Sequence, residues 1–200
     1  MLILRWARTS DNINFEVIQT GTSATYTPDQ ADVGSDIHVE VSYEDGFGTI
    51  EAIPLSSGLH YSHAVQNVND PVGGRLILTG LTSEDSIFSA DASGLTDLDG
   101  IGDFSYQWYA NGQVLQNATS SIYTLTQAEV GKQISVGVSF VDGFGATETV
   151  LSSTTGVIEN VNDPVEGDLI VTGDFMQSDT LSINSNDLTD EDGLGSFQYQ

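Results

Sequence analysis

The chain has 200 residues, of which 29 are Asp or Glu and 4 are Lys or Arg, giving a formal net charge of -25 at pH 7. A surface that negative repels phosphate backbones and anionic lipid, which argues against nucleic-acid and membrane-surface binding, and no apolar run approaches the roughly 18 residues of a membrane span. Charged residues are only 16% of the chain and cysteine is absent, so it is neither a solvated acidic tail nor a disulfide or thiolate-metal scaffold.

Strand signals follow one another along the chain, and no stretch has helical periodicity. Met1-Leu2-Ile3-Leu4-Arg5-Trp6 holds too short an apolar run before its arginine to serve as a signal-peptide core. Ile37, Val39, Val41 and Tyr43 alternate with Asp36, His38, Glu40 and Ser42, which predicts a strand with the first set in a core. Asp45-Gly46-Phe47-Gly48 is a turn, and Asn67-Val68-Asn69-Asp70-Pro71-Val72 reads as a linker. Short strands are predicted over 74–79 and 85–90, then a loop from Ser93 to Asp103 that carries Asp97, Asp99 and Asp103. Phe104, Tyr106 and Trp108 form a second inward row, ended by Asn111-Gly112, a two-residue hairpin turn whose positions both tolerate positive φ. Strands over 113–117 and 121–126 precede Ile134, Val136, Val138 and Phe140, a third inward row. The turn Asp142-Gly143-Phe144-Gly145 and a strand over 146–151 complete the series.

The linker returns as Asn160-Val161-Asn162-Asp163-Pro164-Val165, and laying residues 69–107 on 162–200 gives 19 identities in 39 positions. Tyr26 to Gly34 likewise matches Tyr123 to Gly131, Asp45 to Gly48 matches Asp142 to Gly145, and Trp6 pairs with Trp108 across a longer following loop in the first copy. The sequence therefore divides into the later part of one repeat (1–66), a whole repeat (67–161) and the early part of a third (162–200). This is expected of a fragment of a longer array, with the true termini and any export signal outside it. About seven short strands per repeat, with turn signals between them, predict an all-β fold of tandem antiparallel β-sandwiches of immunoglobulin-like type.

Strand parity brings the 93–103 loop, the Asp142 turn and the linker to one pole of the repeat. Oxygen-bearing side chains then converge there: Asn69, Asp70, Asp97, Asp99, Asp103 and Asp142, and in the third copy Asn162, Asp163, Asp190 and Asp192. Six to eight oxygens on flexible loops suit Ca²⁺, whereas Mg²⁺ demands a tighter octahedron. Asp29 and Asp32, or Glu84, Asp85 and Glu129 one repeat later, are further candidates from the upstream domain. The alternative is that Asp, Asn and Gly here simply make turns, which they do without metal. His60 and His63, in an insertion of the first copy, read as exposed loop residues before a zinc pair, and Tyr106 and Trp108 as core before a sugar platform. Asn117-Ala118-Thr119 is a glycosylation sequon, and no nucleophile elbow, phosphate loop or His-Glu-x-x-His is present, so no catalytic residue is assigned.

Asn-Val-Asn-Asp-Pro, Leu-Thr-Asp-x-Asp-Gly, Tyr-Thr-Leu-Thr-Gln-Ala-Glu-Val-Gly and Val-Asp-Gly-Phe-Gly together resemble the tandem repeats of giant bacterial surface adhesins. Those are cadherin-like or immunoglobulin-like arrays exported by type I secretion, in which Ala usually stands where Asp70 and Asp163 precede proline here. The resemblance implies an extracellular extender of an adhesin or biofilm protein, with calcium at its junctions and neighbouring repeats of the same chain as its partners. The alternative is a glycan- or protein-binding module, including one accessory to a secreted hydrolase. The two incomplete repeats further predict that residues 162–200 of one molecule and 1–66 of another associate head to tail.

Overall fold

The computed structural model describes residues 2–53 and 63–198. Among them the regular elements are thirteen β-strands and two 3-10 turns, Gln30–Asp32 and Gln127–Glu129. Every strand pair with a defined register runs antiparallel. Among the described residues no helix is long and apolar enough to cross a membrane. The chain divides into two compact units. One is Met1–Pro71 with the loops Asp97–Ile101 and Val141–Ala146; the other is Val72–Thr96, Gly102–Phe140 and Thr147–Gln200. These units do not coincide with the three sequence repeats, since two loops of the middle repeat group with the first unit and residues 162–200 with the second.

The first unit contains β1 (Ile3–Thr9), β2 (Glu16–Gly21), β3 (Asp36–Glu44) and β4 (Ile50–Ile53), in one sheet ordered β2-β1-β3-β4. Its 3-10 turn is held by a capping box: Asp29 accepts from the Ala31 amide, and Asp32 accepts from the Asp29 amide at 3.0 Å. Asp32 is fully buried, bonded to the Tyr26 hydroxyl and the Arg8 guanidinium. Burial opposes its charge, but the Tyr26 hydroxyl, the Asp29 amide and Arg8 together hold its carboxyl below the usual range.

The second unit holds two larger sheets. β7 (Ser105–Ala110), β8 (Gln113–Val114), β10 (Ile134–Val141) and β11 (Thr147–Leu151) are ordered β11-β10-β7-β8. β5 (Ile77–Thr79), β6 (Ile87–Asp91) and β9 (Ile122–Thr124) are ordered β5-β6-β9, while β12 (Ile170–Thr172) and β13 (Ser182–Asn184) form a hairpin. Phe88 and Ala90 from one large sheet and Trp108, Val136 and Val138 from the other share a single buried cluster with Leu125 and Ile158. The Trp108 indole stacks on Phe88 and on Tyr123, at centroid distances of 6.4 and 5.7 Å, and donates its N–H to the Ser120 carbonyl at 2.8 Å. A buried tryptophan keeps that polar handle satisfied because an unpaired N–H in a core costs about 1–3 kcal/mol.

The repeat in sequence is a repeat in register. Trp6 faces Val39 in the β1–β3 pair as Trp108 faces Val136 in the β7–β10 pair. Ile77 faces Asp91 as Ile170 faces Asn184, each pair lying 93 residues from its copy. The predicted inward row on β10 is buried throughout. On β3 the prediction needs correcting. His38 is the buried residue, while Ile37, Val39 and Val41 are half-buried and Tyr43 is exposed. The longer loop after β1 explains His38, because it lays the Phe15 ring edge-on against the imidazole at 5.1 Å.

Candidate metal centre

The Asn-Asp-Pro linker and the Asp-x-Asp-Gly loop are wired together in the same way in both copies. In the second unit the Asp163 amide donates to Asp192 Oδ2 at 2.9 Å, and the Asp192 amide donates to Asp190 Oδ1 at 2.9 Å. In the first unit the Asp70 amide donates to Asp99 Oδ2 and the Asp99 amide to Asp97 Oδ1, both at 2.8 Å. The first aspartate of each motif therefore shapes the loop, and the second captures the residue before the linker proline. Gly100 and Gly193 follow at positive φ, 97° and 93°, a conformation that a side chain rarely adopts.

Around this shared frame the second unit gathers more carboxylates. Glu84, Asp163 and Glu191 each offer an oxygen, all within 4.8 Å of one another. Glu84 is buried, accepts from the Val161 amide at 3.3 Å, and sits in a segment whose next residue, Asp85, has φ of 61°. The Gln127 amide, turned with its nitrogen toward the carboxylates, donates to Glu84 Oε1 at 2.7 Å and to Asn160 Oδ1 at 3.1 Å. Desolvation, followed by the charges of Asp163, Asp85 and Asp192, pushes the Glu84 carboxyl above its ordinary range against the Val161 hydrogen bond. Asp163 is raised in the same direction, by desolvation and then by Asp192, Asp85, Asp190 and Glu166. A cavity of about 180 Å³ opens beside the group, lined by Asp163, Pro164, Glu166, Thr189, Asp190 and Glu191.

The first unit treats the same frame differently. Asp99 is buried, and its second oxygen accepts from the Gln30 amide at 2.9 Å. Gln30 also reaches Asn67 Oδ1 at 3.4 Å. Leu98 occupies the place that Glu191 takes in the later copy, and with Val33, Val65 and Val68 it forms the apolar part of a cavity of about 360 Å³ that Asp29, Gln30 and Asp70 also line. Asp142 is buried, with one oxygen closing its own turn through the Phe144 and Ala146 amides at 2.8 and 2.9 Å. The other oxygen of Asp142, like Oδ2 of Asp97, is buried without a hydrogen-bond partner. Such orphaned carboxylate oxygens fit a cation better than they fit a turn.

Of the ligands expected from sequence, Asp163 lies in the tight group, and Asp190 and Asp192 border it. Asp70, Asp97, Asp99 and Asp142 fall together in the first unit, whereas Asp103 is exposed and belongs to the second. Asn69 and Asn162 are exposed, and each turns its amide onto the carbonyl of the following aspartate. Asp29, Asp32 and Glu129 serve in capping boxes; Glu129 Oε2 accepts from both the amide and the hydroxyl of Thr126. Sequence reasoning passed over Glu191 and the two glutamines. Their signal was present in the matched Gln30 and Gln127 and in the exchange of Leu98 for Glu191.

An all-oxygen set suits a hard cation. With Ca–O distances of about 2.3–2.6 Å, two ligands can stand about 5 Å apart across the ion, which accommodates the spacing of Glu84, Asp163 and Glu191. Trp108 is fully buried, as core residues are, and Asn117 of the sequon is an exposed turn residue at φ 61°. His63 is exposed, and His60 lies outside the described residues. None of the protein-family models, curated proteins or solved structures compared with this chain matches it.

Proposed function

We propose that this chain is a structural extender, a segment of a bacterial cell-surface adhesin in which immunoglobulin-like repeats are joined through calcium-stiffened linkers. In this reading it acts outside the cell, performs no chemistry, and contributes length and stiffness. The sandwich assignment is supported by the two sheets that share the core around Trp108, with orders β5-β6-β9 and β11-β10-β7-β8. Each Asn-Asp-Pro linker bonds to an Asp-x-Asp-Gly loop, so a cation held there would add to the bonds that tie the linker down.

The observation that carries the proposal is the group Glu84, Asp163 and Glu191, within 4.8 Å of one another and with raised carboxyl pKa values at Glu84 and Asp163. Like charges held that close are unfavourable until something positive joins them. Glu84, Asp163 and Glu191 would be the principal ligands, with Asp190 and Asp192 completing the shell. Asp97, Asp99 and Asp142 form a second, weaker position. Calcium titration of the chelator-treated chain by calorimetry tests the assignment. Saturable binding that Glu191→Gln weakens and Glu44→Gln leaves unchanged supports it, and heat that only tracks ionic strength refutes it. Small-angle scattering along the same titration should show the distribution of molecular dimensions narrowing as the ion binds.

A further inference from the structure

We infer that the loop between β1 and β2 carries a binding site for a neutral sugar, a second role beside that of an extender. The loop is longer than the fold requires. Arg8 pairs with Glu16 across seven residues, where Ala110 pairs with Gln113 across only Asn111 and Gly112. The extra residues are held in one shape by hydrogen bonds of their own. Asp11 Oδ1 accepts from the Ile13 and Asn14 amides at 2.9 and 2.8 Å, and its Oδ2 accepts from the Asn14 side-chain amide at 2.7 Å. Thr9 is buried, its hydroxyl oxygen accepts from the Asn12 amide at 3.0 Å, and Asn12 takes the left-handed φ of 57°. A loop already fixed in this way loses little further freedom when a ligand binds.

Beside the loop lies a cavity of about 630 Å³, with Arg8, Ser10, Asn14, Phe15, Glu16 and Ser35 in its lining. Small-molecule sites of about 300–1,000 Å³ are mostly apolar with a few polar groups. Here the proportions are reversed. Hydroxyl, amide and paired charged groups surround one aromatic ring, so an occupant has to exchange hydrogen bonds over most of its surface. Phe15 packs against His38 at 5.1 Å, which anchors the ring as an apolar surface for the C–H groups of a sugar. Charge narrows the class further. The Arg8 guanidinium donates to Glu16 at 2.9 Å and to the Ala31 carbonyl at 2.8 Å, so the pair supplies donors and acceptors without net charge. Glu16, the carboxylate in the lining, is thus already paired, and the chain charge of -25 repels anions. The second sheet of a complete repeat does not reach this corner. In the middle repeat Asn111, Gly112 and Gln113, the counterparts of Thr9, Phe15 and Glu16, are all exposed.

Backbone amide chemical shifts of the isotope-labelled 200-residue chain test the site, recorded in EDTA so that the calcium reading plays no part. The probes are glucose, galactose, mannose, N-acetylglucosamine, lactose and cellobiose, with N-acetylneuraminic acid and glucosamine as charged comparators. At least one neutral sugar should shift the amides of residues 9–16 and of Ser35 saturably at millimolar concentration. Ser10→Trp, at an exposed position in the lining, should fill the cavity and abolish those shifts while the rest of the spectrum stays that of the parent. Glu16→Ala, also at an exposed position, should weaken binding about tenfold, and Phe47→Ala in another exposed turn should leave it unchanged. Neutral sugars that leave these amides unmoved, shifts that survive both Ser10→Trp and Glu16→Ala, or tighter binding of either charged comparator would overturn the inference.

Discussion

The two Asn-Asp-Pro linkers share a motif and a hydrogen-bond frame but surround it with opposite chemistry. In the first unit Asp99 is buried and satisfied by the Asp70 amide and the Gln30 side chain, beside Leu98 and a valine-lined cavity. In the second, Glu191 replaces Leu98 and Glu84 enters, so the frame opens onto crowded carboxylates whose protons bind more tightly than usual. The same motif thus gives its second aspartate neutral donors in one copy and sets it beside crowded carboxylates in the next. The difference lies in the residue between the two aspartates, Leu98 or Glu191, and in Gln30 and Glu84 from outside the motif.

The largest effect should come from the contrast between closed and open tryptophans. Trp108→Ala is expected to cost about 3–5 kcal/mol in urea denaturation, and Trp6→Ala clearly less, because Trp6 is already half-exposed. Next, Gln30→Ala strips the side-chain donor from buried Asp99 and should cost about 1–3 kcal/mol in EDTA. Glu84→Gln should behave in the opposite sense at the other linker. It relieves like-charge crowding and raises the melting temperature in EDTA, but removes most of the gain that Ca²⁺ gives the parent.

The smallest and most diagnostic effect is on pH dependence in EDTA. The folded state raises the carboxyl pKa of Glu84 and Asp163, so it holds protons there that the unfolded chain releases. Stability from these groups should be fully present below their ordinary values and lost as pH climbs through the raised ones. Asp32, Asp45 and Asp91 are depressed, so their contribution is present above the ordinary carboxyl range and lost as pH falls through the depressed values. In EDTA, Glu84→Gln should remove part of the stability loss seen as pH rises through the raised values, and Ca²⁺ should reduce that loss in the parent.

The all-β class, the strand positions and the repeat register were legible in the sequence, because period-2 rows and Asp-Gly turns are local signals. The alternation of Ile134, Val136, Val138 and Phe140 reports burial directly. The same alternation on β3 did not, since Phe15 covers His38 from a loop whose path no local pattern encodes. At the candidate site, Asp163, Asp190 and Asp192 were readable from their motifs. Glu84 was named without a geometry, and Glu191 looked like an ordinary loop residue. What selects them is proximity across 77 to 107 positions of sequence, as in the bond from the Val161 amide to Glu84.

The most direct test of the calcium account is thermal unfolding of the chain in EDTA, in Ca²⁺, and in NaCl at matched ionic strength. At free Ca²⁺ about 100 times Kd, one site adds about 2.7 kcal/mol. The account predicts a clear rise in melting temperature with Ca²⁺ that NaCl does not reproduce. An equal rise in both salts would mean that Glu84, Asp163 and Glu191 are merely screened surface charges, and would contradict it.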